Sequence, residues 1–500
     1  MSITSCQEKN TVMSPLRLFL FPVKDKEVKQ FIWMALMMFF TVFSYVLLRV
    51  LKDAMVSGGA GSGMEVLSFI KAYAMTPCAM IVSLLYMRLR RLVDFQSTYQ
   101  VILISFVIFF LCYGYVLKPN INRISPDSAA VMLLQESMPR LKWFFVIYRR
   151  WVDVLFYVFA ELWGSMMLGV LFWQFVNDRV TTEQSSRFYP LLVLISNLAT
   201  ILVDEFVTRY VVLDENVLVH RGMLGVLGCA GCLLLLLRVL HKTPQPRAND
   251  LQKRKLTFRE SMGVLFRSEY IFYIACIVVG YGATINLFES TWKAQLRTLY
   301  VSEADLTLFS SRYIRYMAYV SIAMNFLSKG FIQRLGWRAS ALVTPVVCGV
   351  CAAAYYTFVM LQEHMITITH GSLVEYSPVM LSVAIGSFGL MMSKSAKYCF
   401  FDPTKEQVYI PIDEDLRTNG KAAVDGVGAR LGKSCGAWFT SSLIMVTGLD
   451  IMQLAIPLAC GVVALSMTWF CAVIRLHRLY YAQLRYHAQG SGFVGDTVDA

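Results

Sequence analysis

The chain has 500 residues, 57% of them hydrophobic and 16% charged, with a mean hydropathy of +0.55. Soluble domains carry about 45–50% apolar and about 25% charged residues, so these proportions exclude an ordinary soluble protein and imply a polytopic membrane protein. The formal net charge of +13 does not by itself imply nucleic acid, because cytoplasmic loops of membrane proteins carry excess Lys and Arg and an anionic substrate is the other usual reason.

Residues 1–30 are polar and mixed in charge, with no apolar h-region before Phe31. They read as a short cytoplasmic tail rather than a cleaved signal or an organelle transit peptide. A spanning helix needs about 20 mostly apolar residues. Twelve runs meet that need: 31–51, 66–87, 98–117, 143–173, 188–209 and 219–240, then 270–293, 308–332, 340–361, 379–401, 421–447 and 451–475. The fourth is long and contains Arg149, Arg150, Asp153 and Glu161, and is read as one tilted or extended helix.

Basic residues fix the expected orientation. Arg88, Arg90 and Arg91 follow the second span, and Arg334 and Arg338 follow the eighth. Arg475, Arg478 and Arg485 follow the twelfth, and the segment between the sixth and seventh is rich in Lys and Arg. With twelve spans all of these share one side, which the positive-inside rule makes cytoplasmic together with both termini. Asp214, Glu215, Glu363 and Glu375 fall on the other side.

The basic segment 241–269, with Pro244 and Pro246, divides six spans from six. The expected architecture is all-α, with twelve transmembrane helices in a 6+6 major-facilitator-like arrangement, two halves rocking around a midplane site. Its parts would be a tail at 1–30, a bundle at 31–240, a linker at 241–269, a second bundle at 270–475 and a cytoplasmic tail at 476–500.

Ionisable groups inside apolar spans are costly and mark functional cavities. Arg49 and Lys52 close the first span beside Asp53; Arg149, Arg150 and Glu161 lie in the fourth. Glu289 and Lys293 sit four apart on one helix face in the seventh; Arg312 and Arg315 lie in the eighth, Lys394 and Lys397 in the tenth, Arg430 and Lys433 in the eleventh. Cations clearly outnumber the carboxylates Glu161 and Glu289. A surplus of buried cations implies an anion in the cavity, and Arg and Lys are the usual ligands of phosphate oxygens. The competing reading for Arg49, Lys52 and Lys293 is snorkelling toward headgroups, and for Arg149 and Arg150 an interfacial position.

The stretch 401–436 ends in Gly-Lys-Ser, which invites a P-loop. A P-loop needs Gly five positions before Gly432; the residue there is Val427, flanked by Gly426 and Gly428, and no strand precedes it. The stretch reads instead as an acidic loop followed by the start of a helix whose glycines permit close packing.

Catalytic chemistry finds no support. The pairs Cys229/Cys232 and Cys348/Cys351 lie in apolar runs without the neighbours that make a thiolate or a metal site. The six His lie in loops or at helix ends. No catalytic residue, metal or cofactor is expected.

The charged motifs together resemble the ATP/ADP translocase (nucleotide transporter) family of plastids and obligate intracellular bacteria. The resemblance runs from about Phe21 to the last span: LFPVKDKEVKQF, LRVLKDAMV, ELWGSMMLGVLFWQFVND, NLFESTWK and FDPTKEQVYIPIDEDLRTNGKAAVDGVGARLGKS. It implies twelve spans, nucleotide transport, and transport roles for Lys52, Glu161, Glu289 and Lys433, all already flagged on cost. Val50-Leu51 replaces the family's usual Asp-Thr, and Cys435 replaces a Gly after Gly-Lys-Ser.

The expected activity is movement of ATP, ADP or other nucleoside phosphates by alternating access across a bacterial inner membrane, most simply as an exchanger. Arg49, Arg149, Lys293 and Arg430 join those four as substrate-binding candidates. The alternatives are a proton-coupled symporter using Glu161 or Glu289 as the proton site, and, more remotely, an intramembrane enzyme or receptor. The expected partners are a nucleotide and the lipid bilayer, with no nucleic acid.

Overall fold

The computed structural model describes residues 23–57, 63–211, 215–241, 268–369, 377–412, 420–421, 424 and 428–490. Most of the expected N-terminal tail, nearly all of the basic linker, the acidic run after Ile412 and the last ten residues lie outside the described residues.

The described chain is helical and contains no strand. The first part comprises α1 (Val28–Ser57), α2 (Glu65–Leu92), α3 (Phe95–Leu117), the short α4 (Ser128–Ser137) and α5 (Lys142–Arg149), α6 (Trp151–Asn177), α7 (Thr182–Val211) and α8 (Glu215–His241). The second comprises α9 (Glu269–Leu299), α10 (303–335), α11 (337–369), α12 (Pro378–Gln407), α13 (Ala429–Thr447) and α14 (Ala455–Gly490). Ten of these helices are long and apolar enough to cross a membrane. The other two expected spans are α10 and α13, helices that carry Arg312 and Arg315, and Arg430 and Lys433.

Local sequence explains the boundaries. Asp94 caps α3 by accepting hydrogen bonds from the amides of Gln96 (3.0 Å) and Ser97 (3.1 Å), which satisfies two of the free donors at the helix start. Gly336 separates α10 from α11 with φ +73°, a left-handed conformation that favours Gly. Gly448 ends α13 in the left-handed helical region, its amide returning to Ile444 O at 2.8 Å.

The fourth expected span needs correction. It is not one extended helix: α5 stops at Arg149, Arg150 leaves the helix with φ −104° and ψ 29°, and α6 begins at Trp151. The Arg150 guanidinium donates to Val56 O, near the end of α1, at 2.8 Å. A cation at a free helix-terminal carbonyl is favourable, so the side chain that spoils a continuous apolar helix here secures the end of another.

Packing reveals the internal relation of the two parts. In the first, α1 packs against α6, α7 and α8; in the second, α9 packs against α12, α13 and α14. Between them, α7 packs on α10, and α13 packs on α2. Exchanging the first six spans for the last six maps each of these contacts onto the other, as a 6+6 arrangement requires. The central α1 and α9 bury more of their surface than the peripheral α3, whose Val101, Ile104, Ile108 and Leu111 stay exposed for lipid.

Between α9 and α13 the backbones meet closely. A Cβ placed at Gly432 would stand 2.9 Å from Val279 Cα, and one at Gly282 would stand 3.0 Å from the Gly432 carbonyl carbon. Glycine is therefore what lets these helices touch.

Candidate functional site

The innermost charges form a continuous chain of ion pairs across four helices. It starts on α6 at Glu161, whose Oε1 lies 2.7 Å from Lys52 Nζ on α1. Lys52 Nζ is also 3.0 Å from Asp53 Oδ1. The other oxygen of Asp53 accepts from Lys293 Nζ on α9 at 2.5 Å. Lys293 then meets Glu289 Oε1 one turn away at 3.2 Å, and Glu289 Oε2 meets Lys394 Nζ on α12, also at 3.2 Å. Carboxylates and ammoniums alternate along the whole chain, which is how ionised groups can be held out of bulk water.

Exposure varies along it. The Lys52 side chain is 4% exposed and that of Lys394 9%, whereas Glu161 is 32% exposed. The Glu161 end therefore opens to a space that solvent reaches. Aromatic rings line the cations: Lys52 Nζ stands 3.9 Å from the centre of the Tyr157 ring, and Lys394 Nζ 5.8 Å from that of Tyr313. A ring face attracts a cation without consuming its hydrogen-bonding capacity toward an anion.

Three more cations surround this chain. Lys433 is exposed, and close enough for its charge to act on Glu161. Lys71, on α2, acts on Asp53 and Glu289. Arg49, one turn before Lys52, acts on Glu289. Arg49, Lys71 and Lys433 make no ion pair among the described residues. Six cations thus converge with three carboxylates, and the balance favours a multiply charged anion.

Backbone irregularities flank three of these side chains. Wider π turns occupy Ile70–Met75, which contains Lys71; Gly164–Phe172, three residues after Glu161; and Lys397–Phe401, three residues after Lys394. Such turns insert an extra residue, shift the register of the following helix and occur often at functional sites.

The structure therefore brings together Lys52, Glu161, Glu289 and Lys293, with Arg49 and Lys433 within electrostatic reach. It places two sequence candidates elsewhere. Arg149 ends α5 at the helix break. Arg430 donates to Ala79 O at 3.1 Å and to Ser83 Oγ, both on α2, and so joins α13 to α2 outside the ion-pair chain. Sequence reasoning left out Lys71, although it is a cation within an apolar run and the same cost argument reaches it. Asp53 and Lys394 were noted only as charges, and nothing local marks Asp53 as the link between α1 and α9.

With a site that gathers cations at the centre of a polytopic helical protein, the relatives decide the family. Residues 6–480 match the TLC ATP/ADP transporter family. The chain belongs to that family. ADP,ATP carrier protein 1 of Rickettsia prowazekii (strain Madrid E) is 32% identical over 88% of this chain and 91% of its own length. ADP,ATP carrier protein 1 of Rickettsia bellii (strain RML369-C) is 31% identical over 95% of this chain and 98% of its own. Among solved structures, a bacterial homologue of the iron transporter ferroportin in an inward-facing state shares the fold with a TM-score of 0.57. It is 12% identical and covers 91% of this chain and 99% of its own. The nucleoside transporter NupG (D323A mutant) shares the fold with a TM-score of 0.53, at 12% identity over 89% and 99%.

Membership agrees with the expected transporter family and with a secondary transporter rather than an enzyme. The family match spans both halves of the chain, so the cations of α1, α2, α9, α12 and α13 all fall within it.

Proposed function

We propose that the chain exchanges ATP and ADP, or related nucleoside phosphates, across a bacterial inner membrane by alternating access. The observation that carries this reading is the convergence of six cations and three carboxylates from both halves, with Arg49, Lys71 and Lys433 lacking an ion-pair partner among the described residues. A polyphosphate supplies several anionic oxygens on a short flexible chain and can engage several ammoniums at once, each through a charge-assisted hydrogen bond. Lys52, Lys293 and Lys433 are its principal ligands, with Glu161 and Glu289 holding the ammoniums in register when the site is empty. Arg49 and Lys71 add long-range attraction that steers the anion inward.

The two six-helix halves at 31–240 and 270–475 rock against each other along the α7–α10 and α2–α13 contacts, with both termini cytoplasmic. Exchange fits better than proton symport, because each central carboxylate is held against an ammonium and none stands apart as a proton carrier. The test is uptake of labelled ATP into proteoliposomes holding the purified protein. Uptake that depends on preloaded ADP and ignores an uncoupler is expected. Uptake into empty vesicles that collapses with an uncoupler overturns exchange in favour of symport.

A further inference from the structure

We propose that Asp53 is a substrate-released latch: its carboxylate locks the two halves together in the empty carrier, and an incoming phosphate replaces it at Lys293. The inference rests on the exchange reading and specifies what enforces exchange.

Asp53 is placed for that task. Oδ1 binds Lys52 within its own helix and Oδ2 binds Lys293 across to α9. Among the described ion pairs of the central chain, Asp53–Lys293 joins the first half to the second; the pairs on either side stay within one half. Asp53 lies four residues before the end of α1 and Lys293 six before the end of α9. At about 1.5 Å per residue the pair sits roughly 6–9 Å inside the face where both helices end.

Other cross-half contacts close the same face. Ile451 N donates to Glu65 Oε1 at 3.4 Å where α2 begins, and Trp438 Nε1 donates to Ala72 O at 3.0 Å. On the α7–α10 side, Asp204 Oδ2 lies 2.7 Å from Arg315 Nη1, and Ser311 Oγ donates to Asp204 Oδ1 at 2.7 Å.

The charges explain why this latch needs a substitute. Opening the face parts α1 from α9. Counting only the ion-paired side chains, and so leaving aside Arg49, Lys71 and Lys433, the first half then keeps Lys52 with both Asp53 and Glu161, and the second keeps Glu289 with both Lys293 and Lys394; the Asp53 carboxylate and the Lys293 ammonium are parted. Separating opposite charges in a poorly solvated site is unfavourable. A phosphate on Lys293 supplies the missing anion, so the loaded carrier opens and the empty one stays shut. Exchange follows, because the return step also requires a loaded site.

The experiment compares wild type, Asp53→Asn and Asp53→Glu in proteoliposomes. Each is scored by the ratio of labelled ATP uptake into ADP-preloaded vesicles to uptake into empty ones, alongside labelled ATP binding in detergent. Asp53→Asn is expected to bind ATP while its ratio falls by about tenfold or more, since the empty carrier no longer has to break the bridge. Asp53→Glu, which keeps the carboxylate, is expected to recover a high ratio. An unchanged ratio in Asp53→Asn, loss of its ATP binding, or an Asp53→Glu that stays uncoupled overturns the latch. A wild type that takes up ATP equally into preloaded and empty vesicles instead refutes the exchange reading beneath it.

Discussion

Replacing Lys52 with Met separates its two tasks, holding Glu161 and holding phosphate. Met keeps the length and apolar bulk of the stem and removes the ammonium. Asp53 retains Lys293, so the group left without its partner is Glu161, whose Oε1 lies 2.7 Å from Lys52. Breaking a fully buried pair costs about 3–5 kcal/mol, while an exposed pair contributes about 0–1 kcal/mol. With Glu161 32% exposed, the cost falls between these limits, at about 2 kcal/mol. Thermal unfolding in detergent should therefore drop by a few degrees. The lost charge-assisted bond to substrate adds about 1.5–3 kcal/mol, roughly ten- to hundredfold in nucleotide affinity. The double variant Lys52→Met/Glu161→Gln isolates the second effect, because a neutral Gln no longer needs the ammonium. It should unfold near the wild-type temperature and still fail to exchange labelled ATP. Wild-type uptake by either variant refutes a phosphate-holding role for Lys52 and leaves it as structural support for α6.

Asp204→Asn should weaken the α7–α10 contact by removing the charge that Arg315 meets at 2.7 Å. A loss of about 1–3 kcal/mol is expected in thermal unfolding, below the fully buried limit because Arg315 is 27% exposed; an unchanged unfolding temperature would show that the pair contributes nothing. Thr76→Cys/Ser434→Cys replaces hydroxyls whose oxygens are 2.8 Å apart with a pair close enough to form a disulfide. Oxidation should stop ATP exchange and reduction restore it, and exchange that survives verified cross-linking would show that α2 and α13 do not separate. Gly432→Val places new atoms 2.9 Å from Val279 Cα and O, an overpacking cost of about 1–3 kcal/mol. Gly336→Ala meets nothing within 4 Å and bears only the strain of φ +73° with ψ 179°, about 1–3 kcal/mol. Unfolding should therefore fall in both, with ATP exchange lost only in Gly432→Val, whose helix carries Lys433.

Much of the fold is written in one dimension because a bilayer imposes a one-dimensional rule: a span must be long and apolar. That rule locates α1 to α3 and α7 to α9 without any knowledge of packing. It fails at Arg150, where the apolar run continues on both sides but the helix does not. The reason is tertiary, since the carbonyl that Arg150 satisfies belongs to Val56, on a helix elsewhere in the chain. The cost of burying charge likewise makes Lys52, Glu161, Glu289 and Lys433 visible as isolated exceptions in apolar text. Which exceptions meet is a different question. Arg430 and Lys433 are three residues apart, yet one binds α2 and the other lies within electrostatic reach of Glu161.

The arrangement that matters for function is the least legible part, and its physics explains why. Two of the three central carboxylates touch ammoniums from their own helix and from another: Asp53 joins α1 to α9, and Glu289 joins α9 to α12. A sequence can display an i,i+4 pair such as Glu289 and Lys293, but the partner across the cavity is set by how the helices assemble. The same property gives the site its use. Contacts within one helix persist through any rigid-body motion, whereas contacts between halves are made and broken by it. A carrier that must move only when loaded therefore has to place its substrate-sensitive charges in the second class, where Asp53 and Lys293 stand.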